Sequence, residues 1–232
     1  MILDTIERIK NHPFTFMQLS DKEKFHTGLI AYAIKEYPKF LNNLLNDGRN
    51  YSASDRYRVL VEHDSTDILI VDEYYYDEPE RFPGKDKITP FAVIEVKFKS
   101  AMHSSKKNED VIPQLTKYEE KYKKHNPQFI YIYLFDEPEV QSQFSNTWRF
   151  ISYNDLVTML EPVYGGGYEG DIQIIGTWIS YMKLMVDFSK FVKNQALYSL
   201  KSAYQSNERI GELINEIKMR GLVDHYRYSL FL

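Results

Sequence analysis

Hydrophobic and charged residues alternate through one short stretch, with Ile94, Val96 and Phe98 set against Glu95, Lys97 and Lys99. A period of two belongs to a half-buried strand, whose successive side chains point to opposite faces. Ile94, Val96 and Phe98 then face a core, and Glu95 and Lys97 stand side by side on the other face of a strand over residues 91–99. Two more strands are expected upstream, over 57–62 and 67–71. They are joined by the turn residues His63, Asp64 and Ser65 into an antiparallel hairpin, with Asp67 opening the second arm. Residues 129–135 form a continuous apolar and aromatic run, which suits a buried strand that follows a helix in a β-α-β unit. Residues 148–152 read as another strand.

Helical spacing fills the remainder. Leu3, Ile6 and Ile9 predict a short first helix. Phe25, Leu29, Ile30, Ala33, Ile34 and Tyr37 predict a second that ends before Pro38. Ser20 or Asp21 is its expected N-cap, and Glu23 falls at the capping-box position if Ser20 is the cap. Residues 41–56, rich in asparagine, read as a loop or a frayed helix. Val111, Leu115, Tyr118 and Tyr122 predict a helix over about 110–124, and residues 154–160 a short capped one. The stretches 72–90 and 100–110 read as loops. Glycines at 165–167 and 170 interrupt the pattern, and no Lys-Ser or Lys-Thr follows them, so a phosphate-binding P-loop is excluded. Beyond them, Trp178, Met182, Met185 and Phe188 mark one amphipathic helix. Ile210, Leu213, Ile214 and Ile217 mark another, with Gly221 as a C-cap. The expected fold class is α/β, a mixed central sheet flanked by helices. Residues 1–163 form its main domain, and 171–232 a helical C-terminal extension packed on it or at a homodimer interface.

Composition narrows the classes of function. The chain has 232 residues, 43% of them hydrophobic and 27% charged, which is the balance of a folded globule. Its net charge is −4, so a surface for nucleic acid must be a local patch. One such patch exists: eight lysines lie between positions 97 and 125 against four acids. Lys106, Lys107, Lys121 and Lys124 belong to it. The ordinary role of such a run is a solvated helix face. The acidic stretch 72–90 would repel a phosphate backbone. No cysteine is present, which excludes disulfides, thiolate zinc sites and thiol catalysis and fits a reducing compartment. The N-terminal residues lack the pattern of a secretory leader, and no apolar run is long enough for a membrane. A cytoplasmic protein without membrane contact is the expectation.

The polar residues that remain form an ordered set: Glu23 on a helix, Asp67 on a strand, Glu95-x-Lys97 on the next strand, and Gln114-x-x-x-Tyr118 on the next helix. Two carboxylates and a lysine on adjacent strands are costly to bury unless they bind something. Hard carboxylate oxygens suit a divalent cation, and a nearby lysine suits charge developing on a phosphate. Each residue also has a structural role to weigh. Glu23 can act as a helix-capping residue and His26 as a hydrogen-bonded core histidine. Asp64, the rival to Asp67, fits a turn. The set as a whole resembles the PD-(D/E)xK nuclease superfamily, and most closely its branch with a Glu-x-x-His start and a Gln-Leu-x-x-Tyr helix. The resemblance covers residues 20–160, and it departs from the pattern where Thr66 stands in place of proline. It implies a restriction-endonuclease-like fold. It also implies magnesium or manganese held by Asp67 and Glu95, and catalysis by Asp67, Glu95, Lys97 and Glu23. By the resemblance, Gln114 and Tyr118 would line the cleft and orient the lysine or a phosphate; by the local charge, Lys106, Lys107 and Lys121 would contact the substrate backbone. The implied activity is metal-dependent hydrolysis of DNA by an activated water, and the residues by themselves leave DNA versus RNA open. The alternative is a nuclease-like fold that binds nucleic acid or protein without cutting.

Overall fold

A computed structural model describes residues 2–20, 22–52, 55–77, 80, 88–98, 111–164, 173–197 and 212. Five strands form one open mixed sheet in the order of the sequence: β1 Tyr57–His63, β2 Thr66–Asp72, β3 Pro90–Lys97, β4 Gln128–Tyr133 and β5 Trp148–Ser152. The first three pair antiparallel, and β3, β4 and β5 run parallel. The β1–β2 turn is two residues long, and Asp64 and Ser65 both take positive φ, 54° and 65°. That is the sign a tight type I′ hairpin turn requires, because its twist matches the strands it joins. The turn role expected of Asp64 is thus met.

The helices are α1 Ile2–Lys10, α2 Pro13–Phe16, α3 Glu23–Glu36, α4 Pro38–Leu45, α5 Glu73–Asp77, α6 Val111–Tyr122, α7 Pro138–Phe144, α8 Tyr153–Tyr164 and α9 Gln173–Leu197. Strand periodicity sends the side chains of the sheet into two cores. Ile68, Ile70, Ile94, Val96, Ile130 and Ile132 pack with residues of α1, α3, α4, α8 and α9. Leu69, Val71, Val93, Phe129 and Tyr131 pack with Leu115, Tyr118 and Tyr122 of α6 and with Val140 and Phe144 of α7. The predicted stripe Trp178, Met182, Met185 and Phe188 is fully buried in the first core. Burying an apolar side chain of this size contributes about 1.5–3 kcal/mol.

Several elements differ from the sequence pattern. The expected cap of α3 is neither Ser20 nor Asp21: Lys22 holds the N-cap position without a side-chain bond, and Asp21 lies outside the described residues. Ser20 is buried instead, and its backbone amide donates to the Phe14 carbonyl of α2. The asparagine-rich stretch begins as a regular helix, α4, which buries Phe40, Leu41, Leu44 and Leu45 and ends on Asn46 at φ 49°. Asn42 is polar because its side chain binds the backbone of Tyr51, not because it lies in a loop. The 72–90 loop opens with the short α5, and α7 has no counterpart in the hydrophobic pattern. Ser152 caps α8 through its bond from the Asp155 amide, so the helix starts earlier and runs longer than expected. Residue 212 is helical, but the rest of the expected helix at 210–217 and its cap Gly221 lie outside the described residues.

Candidate active site

Antiparallel pairing of β2 with β3 places Asp67 beside the strand that carries Glu95 and Lys97. The three side chains leave the sheet on the face that α6 covers, because Asp67 is in phase with Leu69 and Glu95 with Val93. The register is pinned locally: the Val96 amide donates to Asp67 Oδ2 at 2.8 Å. Glu95 is completely buried. Its Oε1 lies 2.5 Å from Lys97 Nζ and accepts from Gln114 Nε2 at 3.0 Å. Its Oε2 is buried and, among the described residues, has no hydrogen-bond partner.

Glu23, at the first turn of α3, reaches the same cluster from the other layer. Its Oε1 lies 3.4 Å from Lys97 Nζ, and its Oε2 accepts from the Phe98 amide at 3.3 Å. The fold therefore brings Glu23, Asp67, Glu95 and Lys97 together, with Glu23 reaching Lys97 from the first turn of its helix. Three carboxylates surround one ammonium, and burial amplifies each interaction. Burial raises Glu95 above the ordinary carboxylate value, and the nearby acids Asp67 and Glu23 add to the rise against the pull of Lys97. Burial also raises Asp67, with Lys97 and the Val96 amide pulling it down. For Lys97, burial opposes the charge, but Glu95, Glu23 and Asp67 outweigh it and hold the amine protonated.

On α6, Gln114 and Tyr118 are four residues apart and share a face. Gln114 Nε2 donates to Glu95 and to the Tyr118 hydroxyl, the latter at 2.7 Å, and Tyr118 donates to the Ser65 carbonyl. The sequence pattern assigns these two residues to substrate. Here their donors are engaged inside the protein, fixing Glu95 and the turn that leads into Asp67. Lys121 is exposed and pairs with Asp64 at 3.1 Å, on the same turn. Lys106 and Lys107 lie outside the described residues.

His26 points away from the cluster into the first core, where it is fully buried. The Trp178 indole donates to its Nδ1 at 3.0 Å, and its Nε2 lies 3.2 Å from the Ser20 carbonyl. An indole N–H can only donate, so Nδ1 is the acceptor and Nε2 carries the proton. Both ring nitrogens are engaged, which leaves His26 neutral and unsuited to ligate a metal. No sequence signal links Trp178 to position 26, since the two are 152 residues apart.

The donor set is chemically suited to a hard divalent cation: carboxylate oxygens, one of them buried and, among the described residues, unsatisfied. Among the described residues, however, no three His, Asp or Glu side chains are grouped as a metal site by themselves. Among these residues no helix is long and apolar enough to cross a membrane. Comparison of the chain with protein-family models, with curated proteins and with solved structures gives no match.

Proposed function

We propose that this chain is a metal-dependent nuclease that hydrolyses DNA phosphodiester bonds, on a restriction-endonuclease-like fold of the PD-(D/E)xK superfamily. One observation carries the reading. Glu95 is fully buried beside Asp67 and Lys97, and among the described residues one of its oxygens has no partner. An unsatisfied buried carboxylate oxygen costs stability of order 1–3 kcal/mol or more, which a ligand would relieve. The mixed sheet, with the acids on adjacent strands and Gln114 and Tyr118 on the helix after Glu95-x-Lys97, supports the same assignment.

In this reading Asp67 and Glu95 would hold magnesium or manganese, with water completing the shell as is usual for magnesium. The bound ion would supply Lewis acidity to the phosphate and lower the pKa of water. The protein's own groups do the rest. Lys97, kept protonated by its acidic neighbours, stabilises the negative charge that develops on the phosphate. Glu23 fixes the lysine, and Gln114 fixes Glu95. Water attacks directly, and no covalent intermediate forms with the chain. The lysines of α6 and of the sequence flanking it bind the phosphate backbone.

The test is a cleavage assay on linear, circular, single-stranded and double-stranded DNA with magnesium or manganese. Cleavage that needs the ion and disappears in Glu95→Ala supports the proposal. Wild-type protein that binds no divalent ion in the presence of DNA sinks it. A second reading, a nuclease-like module that binds nucleic acid without cutting, has its own observation. The Lys97 amine already sits between Glu95 and Glu23, and among the described residues no three-acid metal group is present. Salt-dependent DNA binding with no cleavage under either ion would favour it.

A further inference from the structure

The cluster at Glu95 is assembled from β2, β3, α3 and α6, yet the helix farthest along the described chain also reaches it. Trp178 and Tyr181 of α9 are buried, with 1% and 0% of their surfaces exposed. Their two polar atoms serve the segment that carries Glu23. The Trp178 N–H donates to His26 Nδ1, and the Tyr181 hydroxyl donates to the Ser20 carbonyl at 3.2 Å. His26 binds that same carbonyl through Nε2. The imidazole is therefore fixed in orientation by both nitrogens, and it lies flat on Phe98, with ring centroids 3.6 Å apart and planes 23° from parallel. Phe98 is the residue after Lys97, and its amide donates to Glu23.

From this series of interactions we infer that Trp178 is a positioning residue of the proposed nuclease site, acting through His26. The indole sets the imidazole, the imidazole sets the ring and backbone of Phe98, and the Phe98 amide sets Glu23 against Lys97. The inference rests on the nuclease reading for its effect on turnover but not for its effect on structure. Its physical basis is that the bonds from Lys97 and the Phe98 amide to Glu23 are long, 3.4 and 3.3 Å. Each bond of that length is weak, so a small shift of Phe98 or of α3 is enough to loosen the contact between Phe98 and Glu23. A misplacement of about 1 Å in a catalytic group can cost on the order of a hundredfold in rate.

Trp178→Phe tests this, because it keeps an aromatic ring and removes the N–H. The control is Met182→Ala. Met182 is also fully buried, one helical turn along α9, but its side chain carries no N–H or O–H to donate to α3. Amide exchange is followed at Phe98, which donates to Glu23, and at Val96, which donates to Asp67. In Trp178→Phe, exchange at Phe98 is expected to speed up at least tenfold relative to Val96. In Met182→Ala the two amides are expected to change together. An unchanged Phe98 to Val96 ratio in Trp178→Phe overturns the inference, whether or not the protein cuts DNA. If wild-type protein does cut, Trp178→Phe is expected to lose at least tenfold in kcat with KM and magnesium affinity unchanged. Met182→Ala, assayed well below its melting temperature, is expected to lose less. Equal losses in the two variants reduce Trp178 to a packing residue and overturn the inference. Wild-type protein that cuts no DNA under any divalent ion sinks the nuclease reading alone, since the exchange ratio still decides the positioning role.

Discussion

Glu95 and Lys97 are two residues apart on one strand, so they share a face, but they are expected to fail in different ways. Glu95→Ala removes a hard oxygen ligand and should abolish metal binding and cleavage together. Lys97→Ala removes the cation that lies 2.5 Å from Glu95. Metal affinity should then hold or rise, because less positive charge opposes the ion, while turnover falls by a factor of about a hundred or more. Calorimetric titration beside a cleavage assay reads both, and full activity in Lys97→Ala refutes the role given to the lysine. The buried carboxyl also sets a pH dependence. Its pKa is raised above 4.5, by burial first. It therefore binds its proton more tightly folded than unfolded. Without metal, its contribution to stability is greatest below 4.5 and declines as pH rises through the folded value. Metal needs the ionised form, so magnesium affinity should climb as pH rises through that same value. Titrations from pH 4.5 up through the folded value of about 8 and beyond it test the sign. An affinity that stays level down to 4.5 shows that Glu95 is not the ligand.

Helix α6 is clamped to the β1–β2 turn at several points: Tyr118 to Ser65, Lys121 to Asp64 and Tyr122 to Thr66. This clamp aligns the helix carrying Gln114 with the strand carrying Asp67. Lysines lie on the same helix and in the sequence on either side of it. Changing Lys106, Lys107, Lys121 and Lys124 to alanine should weaken DNA binding equally at all sequences. It should also lower the slope of log affinity against log salt by about 0.9 for each phosphate that is no longer neutralised. An unchanged slope moves the binding face to another element. Lys121 should contribute less than a full charge, because Asp64 already neutralises part of it.

Across the whole molecule, α9 belongs to the same core as α1, α3 and α8. Trp178, Tyr181, Met182, Met185 and Phe188 are all buried there. At about 1.5–3 kcal/mol for each large apolar side chain, their removal rivals the roughly 5–15 kcal/mol that stabilises a typical domain. A chain that ends at residue 164 should therefore show no cooperative unfolding transition by circular dichroism. A sharp transition in that shortened chain would mean that residues 1–164 fold by themselves and that α9 is an addition.

Strand periodicity alone determined the hairpin, the face shared by Glu95 and Lys97, and helical spacing the element that presents Gln114 and Tyr118. These are local consequences of the two-residue and 3.6-residue repeats, so they are legible residue by residue. Helix α4 was obscured because Asn42 and Asn43 resemble loop residues, although one face of the helix is wholly apolar. The cap of α3 was misplaced because Ser20 has the right side chain, but its carbonyl is held by His26 six residues on and by Tyr181 161 residues away. Which partner each polar group takes was decided by tertiary structure alone. Glu23 could have capped its own helix, yet it meets Lys97 across 74 residues of chain. His26 received its donor from Trp178, and Gln114 turned its amide to Glu95. A hydrogen bond depends on distances of about 3 Å between specific atoms. Distances of that kind between remote segments are set by packing of the two cores against the sheet, which no local pattern in the sequence encodes.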